Sequence, residues 1–297
     1  MASLSRRDLF VLALLTLFWG VNWPVMKFAV REYPPLTFRF LCMAGGVAAM
    51  AAYMAARGIS FRVPPGQRVR VALLAIPNMV VWHLLVIYAV KFLSSGRAAI
   101  IGYTMPVWTL LIGVLVYRER VALRQWAGVG AALLGIILLL SSELTSMAGK
   151  PVGVVLILIA AASWGWGAHL IRRMPVDVPT STLTLWMLLL GTLANLVAAV
   201  AFETGDWRMP SAGEWAAILY NAVIVFGFCH IAYFHLVRVL TPVATGLSMM
   251  MIPVVGVFSG MWALGEVPHW QDYAALVLIL FSLASVLLGR ARPPQVA

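Results

Sequence analysis

The chain contains 297 residues, of which 63% are apolar and only 10% are charged, and it carries a formal net charge of +11. Soluble globular proteins hold about 25% charged residues, and a single core cannot hide so large a share of apolar side chains from water. The composition therefore excludes a soluble protein and predicts a chain that lies in a lipid bilayer.

Ten apolar stretches follow one another along the chain, and each is close to the roughly 20 residues that a helix needs to cross a bilayer. They cover residues 8–29, 35–56, 69–90, 97–117, 121–141, 152–171, 180–202, 214–237, 242–264 and 271–289. Continuous apolar runs of this length are typical of helices, since barrel strands are shorter and alternate in polarity. We therefore predict an all-α integral membrane protein with ten transmembrane helices.

The positive residues fall unevenly on the two sides of these stretches. With the N-terminus placed inside, 14 of the 21 Lys and Arg residues lie in inner segments and 6 in outer segments, while Arg39 lies within the second stretch. The six outer residues are Lys27, Arg31, Lys91, Arg97, Lys150 and Arg208. Because Lys and Arg accumulate on the cytoplasmic side, we expect a multi-pass protein of a bacterial-type cytoplasmic (inner) membrane with both termini in the cytoplasm. Anionic lipid then accounts for the positive charge without a nucleic acid partner.

The two halves of the chain repeat the same pattern of residues. Trp19-Gly20 recurs as Trp164-Gly165, and further pairs recur at an offset of 147 residues: Pro106 with Pro253, Glu119 with Glu266, and His83 with His230. Each half, 8–141 and 152–290, holds five predicted helices, and an odd number places the second half upside down in the membrane. Inverted repeats are typical of secondary transporters, whose substrate site lies near the midplane between the repeats.

Several short segments resemble a known family. They are Phe18-Trp19-Gly20-Val21-Asn22, Ser163-Trp164-Gly165, Tyr117-Arg118-Glu119-Arg120 and Leu264-Gly265-Glu266. These segments are similar to those of the EamA family of the drug/metabolite transporter superfamily, and the resemblance covers essentially the whole chain as two tandem units. It implies a ten-helix exporter of small molecules, and the richness in tryptophan most resembles the YddG-type aromatic amino acid exporters. The sixth stretch departs from the pattern, with Gly167-Ala168-His169 where the first has Asn22-Trp23-Pro24.

Two histidines are predicted near the middle of the membrane. His83 lies eight residues before Lys91, and His230 lies eight before Arg238, which places each about 12 Å from a helix end. Ionisable groups at this depth are functional candidates, and an imidazole can bind substrate or carry a proton. The alternative is a packing histidine that is bonded to a backbone carbonyl.

Two prolines, Pro106 and Pro253, also fall near mid-depth and predict helix kinks. Each proline frees the carbonyl four residues earlier, on Gly102 or Met249. Tyr103 and Ser248 lie beside those carbonyls and complete a polar spot that would suit an ammonium group. The alternative is that the kinks serve helix packing alone.

Aromatic residues outnumber charges in the predicted interior. None of the ten carboxylates falls at mid-depth, and Lys27, Arg39 and Arg172 lie towards the ends of their stretches, so we expect a centre without a fixed cation. Glu119 and Glu266 are expected to anchor helix ends. A neutral, aromatic-lined cavity suits zwitterions, planar aromatic compounds or lipophilic cations. The predicted substrate-binding residues are His83, Tyr103, Trp164, His230, Trp19, Asn22, Ser248 and His169.

These features predict a secondary transporter that exports aromatic or other neutral amino acids and related aromatic or cationic compounds by alternating access. The sequence contains no P-loop for ATP, and we expect neither a cofactor nor a metal ion. Energy coupling by protons and downhill export both stay open, as do a monomer and a weak homodimer. The alternative function is an intramembrane enzyme, a hydrolase or lipid transferase, which would need a nucleophile or metal constellation that the sequence does not supply.

Overall fold

The computed structural model describes residues 6–145, 151–239 and 249–288. In these ranges the regular elements are all helical. The α-helices are α1 (Arg6–Val30), α2 (Pro35–Ala56), α3 (Arg68–Ala75), α4 (Trp82–Phe92), α5 (Ser95–Gly102), α6 (Met105–Leu115), α7 (Leu123–Thr145), α8 (Pro151–Arg173), α9 (Thr180–Phe202), α10 (Ala212–Leu219), α11 (His230–Val239), α12 (Met251–Leu264) and α13 (Trp270–Leu288). Two π-helical segments, Ile76–Val81 and Tyr220–Cys229, join α3 to α4 and α10 to α11.

Eight continuous helical segments are long and apolar enough to cross a membrane, and two shorter apolar helices, α12 and α13, follow them. The predicted stretches 35–56 and 180–202 match α2 and α9 to the residue. The ninth stretch, 242–264, is described only from residue 249 onwards. Large apolar side chains such as Phe202 and Val197 are exposed on the outside of the bundle, as expected where lipid is the solvent. The chain is therefore a multi-pass membrane protein, and its described part is all-helical.

The fourth segment is broken where the proline predicted it. Helix α5 ends at Gly102, Tyr103 and Thr104 form a turn, and α6 begins at Met105 with Pro106 in its first turn. Pro253 also lies in a first helical turn, as the third residue of α12. Proline favours the first turn of a helix because its missing N–H would have no partner there. Both prolines therefore mark the start of a helix.

Each π segment contains an asparagine whose side chain donates a hydrogen bond to a backbone carbonyl of the preceding turn. The side-chain amide of Asn78 donates to the Leu74 carbonyl at 2.8 Å, and that of Asn221 donates to the Ala217 carbonyl at 3.1 Å. A wider π turn leaves carbonyls without their usual helical donors, and an unpaired carbonyl is costly in an apolar interior. The amides supply those donors, so the wide turns persist inside the bundle.

Two helix ends adopt the same unusual backbone. Arg118 and Gly265 have φ values of 56° and 64°. In both, the following glutamate N–H bonds back six residues, from Glu119 to the Gly113 carbonyl at 2.9 Å and from Glu266 to the Gly260 carbonyl at 3.3 Å. This pattern closes a helix C-terminus. It carries the two glutamates to the ends of the bundle.

The helices pack in a few principal pairs. Helix α1 lies along α12, α8 lies along α6 and α4, and α7 lies along α13. Helix α2 packs between α9 and the second π segment. Side chains of α1, α2, α4 and the second π segment meet in the interior, where Phe38, Met43, Ile87 and Phe226 are fully buried.

Candidate functional site

The interior of the bundle holds a cluster of rings centred on Phe226, in the second π segment. The ring of His83, on α4, lies 5.4 Å from the Phe226 ring, and the ring of His230, on α11, stacks on it at 5.6 Å. Both Phe226 and His83 are buried, and Nδ1 of His83 has no hydrogen-bond partner among the described residues. The two histidines predicted at mid-depth are thus brought together around one phenylalanine. We refer to His83, Phe226 and His230 as the ring cluster.

The hydrogen bond of His230 fixes the chemistry of its ring. Nδ1 lies 2.9 Å from the Val225 carbonyl, and because a carbonyl only accepts, Nδ1 carries the proton. In the neutral ring, Nε2 is then left as an acceptor. One nitrogen therefore holds the ring against its own helix, as a packing histidine would, while the other stays available to a ligand.

One face of α1 lines the same interior. Trp19, Asn22, Trp23 and Met26 follow the spacing that places side chains on one side of a helix. The Trp19 ring lies 6.0 Å from His230, and the Trp23 ring lies 6.4 Å from Tyr103 at the break between α5 and α6. Asn22 is buried, and its Oδ1 has no partner among the described residues. Trp19, Asn22 and Tyr103 therefore lie on elements close to the ring cluster, and their role in binding substrate stays a prediction.

Arg39 brings a positive charge to this interior. It is 2% exposed, and its guanidinium carbon lies 5.9 Å from the centre of the Phe226 ring. The expectation of a centre without a fixed cation is therefore wrong. Arg39 lies near the start of α2, but its guanidinium lies in the interior, over the Phe226 ring. The sequence does contain a signal that could have identified Arg39 as a site residue, since it is a charged residue within a predicted apolar stretch.

Phe226 was missed as well. It is one of 13 phenylalanines, and nothing in its residue type distinguishes it. Its position four residues before His230 does, since residues at that spacing share a helix face. Ser248, the remaining polar residue of the predicted kink site, lies outside the described residues.

Trp164 lies in a different ring pair. Its partner is Trp82, at 5.3 Å between ring centres, where α8 packs on α4. Nearby, Gly165 packs on the backbone of Trp108 and Thr109 with no space for a side chain. Trp19 and Trp164 are therefore not placed alike, although they occupy matching positions in the sequence.

His169 belongs to a contact between α8 and α6. Its Nε2 lies 2.7 Å from the Thr109 carbonyl and therefore donates, and its Nδ1 lies 3.1 Å from the Arg172 guanidinium and accepts. The Tyr117 ring covers it at 4.8 Å, and Glu119 lies 3.7 Å from Nδ1. Both ring nitrogens are thus occupied by the protein. The prediction that His169 binds substrate is not supported, because its place, one turn beyond Trp164, joins two helix ends instead.

Glu266 anchors a helix end, as predicted. Its carboxylate accepts from the backbone N–H and the hydroxyl of Ser95, both at 2.8 Å, at the start of α5. A carboxylate at a helix N-terminus satisfies free N–H groups and the helix dipole. Glu203 does the same for α2 through the N–H groups of Leu36 and Thr37, at 2.9 and 2.8 Å. We call this side of the bundle the Lys91 end.

An ion pair and a lysine hydrogen bond join further elements at the Lys91 end. The Arg97 guanidinium and the Asp272 carboxylate form a buried ion pair at 2.6 Å, and Lys27 donates to the Lys91 carbonyl at 2.9 Å. A cavity of about 240 Å³ beside the pair is lined by Ser94, Gly96, Arg97, Glu266, His269 and Asp272. Val257, Val267 and Pro268 complete its lining, and its Arg–Asp pair is already matched. We therefore assign this cavity to the helix contacts rather than to the substrate site.

Comparisons with known proteins give relatives that span nearly the whole chain. An inner membrane transporter of Escherichia coli, YedA, is 29% identical over 93% of this chain and 89% of its own. A probable amino-acid metabolite efflux pump of Salmonella typhimurium is 26% identical over 96% of both chains. The transporter YoaV of Bacillus subtilis is 22% identical over 85% of this chain and 87% of its own. YedA and YoaV are themselves described as uncharacterized.

A solved crystal structure shares the fold. It aligns with 97% of this chain and with all of its own chain, at a TM-score of 0.67 and 22% sequence identity. The model of the EamA-like transporter family matches twice, over residues 7–141 and 151–288. The two matches cover almost every residue, and they agree with the family resemblance of the tryptophan–glycine and glutamate segments. The chain belongs to the EamA-like transporter family.

Proposed function

We propose that this transporter exports small metabolites, above all aromatic or other neutral amino acids and related aromatic and cationic compounds. The observation that carries the proposal is the ring cluster, in which Phe226 lies between His83 and His230 with Trp19 against His230. Flat rings and neutral polar nitrogens that converge inside a bundle offer stacking and hydrogen bonds to a planar, polar solute. The name of the Salmonella relative, a probable amino-acid metabolite efflux pump, supports the same class.

The proposed architecture is ten transmembrane helices in two inverted five-helix repeats, 8–141 and 152–290, with both termini in the cytoplasm. The double match of the family model supports it. The helix contacts support it as well, because α1 of the first half packs on α12 of the second, and the matching helix of the second half, α8, packs on α6 of the first. The left-handed residues Arg118 and Gly265 are also 147 positions apart. The uneven distribution of Lys and Arg supports the orientation.

The proposed mechanism is alternating access around the ring cluster. In this orientation the Lys91 end faces the outside, and the hydrogen bonds of Glu266 and Glu203 hold it shut while substrate enters from the cytoplasm. Release would require these bonds to open and the opposite end to close. Small residues at helix contacts, such as Gly20 against α12 and Gly165 against α6, let the halves approach closely enough to move as packed bodies.

Membership of a transporter family sets aside the intramembrane enzyme that the sequence alone left open. The ring cluster also contains no serine, cysteine or carboxylate that could act as a nucleophile beside a histidine base. Its chemistry is that of binding.

Flux into and out of proteoliposomes tests the proposal directly. Purified protein is reconstituted, and labelled tryptophan, phenylalanine and threonine are followed separately with and without a pH gradient. We expect saturable flux of the two aromatic amino acids and weak flux of threonine. A faster flux in the gradient assigns proton coupling, whereas equal rates assign downhill export. Absence of flux for all three would overturn the substrate class.

Variants connect the flux to the ring cluster. His83→Ala should reduce tryptophan flux by at least about tenfold, the effect of one lost buried hydrogen bond of about 1.4 kcal/mol. Trp19→Leu should raise the KM for tryptophan more than that for threonine. Trp262→Leu is the matched control, because Trp262 is 90% exposed. Unchanged flux in both site variants would remove the ring cluster from the mechanism.

A further inference from the structure

Arg39 is buried, and no anion among the described residues balances its charge. Elsewhere in the described part of the chain, the buried Arg97 is paired with the Asp272 carboxylate, and even the exposed Arg208 is paired with Glu214. No ion pair of Arg39 with a described carboxylate is present, and its Nε has no hydrogen-bond partner there. Removing a charge from water without a partner is among the most costly features that a fold can hold. An unpaired buried cation in a transporter therefore indicates a site that binds an anionic ligand reversibly.

The groups around Arg39 compensate its charge only in part. Its guanidinium lies over the face of Phe226, and Nη2 contacts the sulfur of Met26. A ring face attracts a cation weakly, and a thioether is a poor acceptor. Both contacts orient the guanidinium and leave its remaining N–H groups without strong acceptors.

The position of Arg39 combines two features that one ligand would need. Phe226 is both the ring under the guanidinium and the centre of the ring cluster, so a flat solute beside His83 and His230 lies close to the positive charge. Asn22 lies one helical turn from Met26 on the same face of α1, and its buried Oδ1 is also without a partner. A carbonyl oxygen of this kind accepts from an ammonium group.

We propose that Arg39 binds the carboxylate of the transported solute, while the Asn22 Oδ1 accepts from its ammonium group and the ring cluster holds its side chain. The planar guanidinium can donate two parallel hydrogen bonds to a carboxylate. This role of Arg39 rests on the proposed function, which supplies the transport of the bound solute. It narrows the substrate class to zwitterions and other carboxylates. Lipophilic cations, which the aromatic lining alone would accept, are rejected by the like charge of Arg39.

A panel of three indole compounds tests the inference on the purified full chain in detergent. Tryptophan carries both charges, indole-3-propionate carries only the carboxylate, and tryptamine carries only the ammonium group. Binding is measured with labelled ligands and by thermal unfolding. We expect the wild type to bind tryptophan and indole-3-propionate, and to bind tryptamine at least about tenfold more weakly than tryptophan.

Arg39→Gln should weaken tryptophan binding by at least about tenfold and bring tryptophan and tryptamine to within about twofold of each other. Arg39→Lys should keep the preference for the carboxylate at reduced affinity. Lysine retains the positive charge but lacks the two parallel N–H donors of the guanidinium. Arg57→Gln, at the exposed end of the same helix, is the matched control and should bind like the wild type. Without ligand, Arg39→Gln should not unfold at a lower temperature than the wild type, since it removes an unpaired charge.

Three results would overturn the inference: equal binding of tryptamine and tryptophan by the wild type, no binding of either carboxylate, or an unchanged preference in Arg39→Gln. The proposed function fails separately. If carboxylate-dependent binding is present but proteoliposomes move no amino acid, then the export proposal falls and the role of Arg39 stands. If flux is present but Arg39→Gln keeps the wild-type preference for tryptophan over tryptamine, then the export proposal stands and the role of Arg39 falls.

Discussion

The carboxylate of Glu266 accepts from the backbone N–H and the hydroxyl of Ser95, 171 residues away in the chain. The contact joins the turn after α12 to the first turn of α5, and in the proposed mechanism it holds the Lys91 end shut. A carboxylate offers two charged acceptors, and both are used here, on Ser95 and on the Gly96 N–H. The proposed closure of this end therefore rests on a charge at a helix N-terminus.

Glu266→Gln should loosen this end of the bundle, because an amide has one acceptor and no charge. Val257, buried in the wall of the adjacent cavity, can be replaced by cysteine in a chain whose Cys42 and Cys229 are changed to alanine. We expect a membrane-impermeant maleimide to label this cysteine severalfold faster in the Glu266→Gln background. Glu32→Gln, which alters an exposed carboxylate at the same end, should leave the rate as it was. Equal rates in all backgrounds would show that Glu266 does not control access.

The buried pair of Arg97 and Asp272 should matter most when only one partner is removed. Asp272→Asn leaves the guanidinium unpaired and should lower the free energy of unfolding by about 3–5 kcal/mol. The double variant Arg97→Met with Asp272→Leu should recover most of that loss, since neither charge then has to be buried. Thermal unfolding in detergent measures both. A double variant less stable than Asp272→Asn would contradict this account.

Gly46 sets the position of the ring cluster. A Cβ added at Gly46 would collide with the Cβ of Phe226, so Gly46→Ala must push that ring aside. We expect tryptophan flux to fall by at least about tenfold and the free energy of unfolding to fall by about 1–3 kcal/mol. Gly130→Ala is the control, because a Cβ there would meet nothing within 4 Å; it should stabilise α7 by up to about 1 kcal/mol. Normal flux in Gly46→Ala would mean that the packing of Phe226 is not required.

His169 should act on stability rather than on substrate binding. His169→Ala leaves the Thr109 carbonyl without its donor and should lower the free energy of unfolding by about 1–3 kcal/mol. His169→Gln can still donate to that carbonyl and should recover part of the loss. The affinity for tryptophan should stay within about twofold of the wild type in both. A changed affinity with unchanged stability would return His169 to the substrate site.

Much of the fold could be predicted because lipid allows few solutions. A bilayer demands long apolar helices, so hydropathy alone located α2 and α9 to the residue. Pro106 predicted the break in the fourth segment, since proline removes a helical donor wherever it stands. The π segments could not be foreseen, because nothing in the apolar runs around Asn78 and Asn221 separates a wide turn from an ordinary one.

The candidate site was harder to predict, because depth along a helix does not say where a side chain points. His83 and His230 were located by depth, and they converge because both face Phe226. Arg39 was misjudged by the same reasoning, since its guanidinium lies far from its own Cα. Trp164 and His169 occupy positions that match Trp19 and its neighbours, but they pack against Trp82 and Thr109 instead. Sequence symmetry gives position in the chain and not the identity of the packing partner.

The two π segments lie immediately before α4 and α11, which begin with Trp82 and His230. A π turn stores one residue more than an α turn, and that extra residue can migrate along the helix as hydrogen bonds exchange partners one at a time. Each step turns the residues it passes by about 100° and advances them by about 1.5 Å. His83 and His230 therefore lie within two residues of a π segment. A change of that segment from π to α winding would turn their rings relative to the rest of the interior.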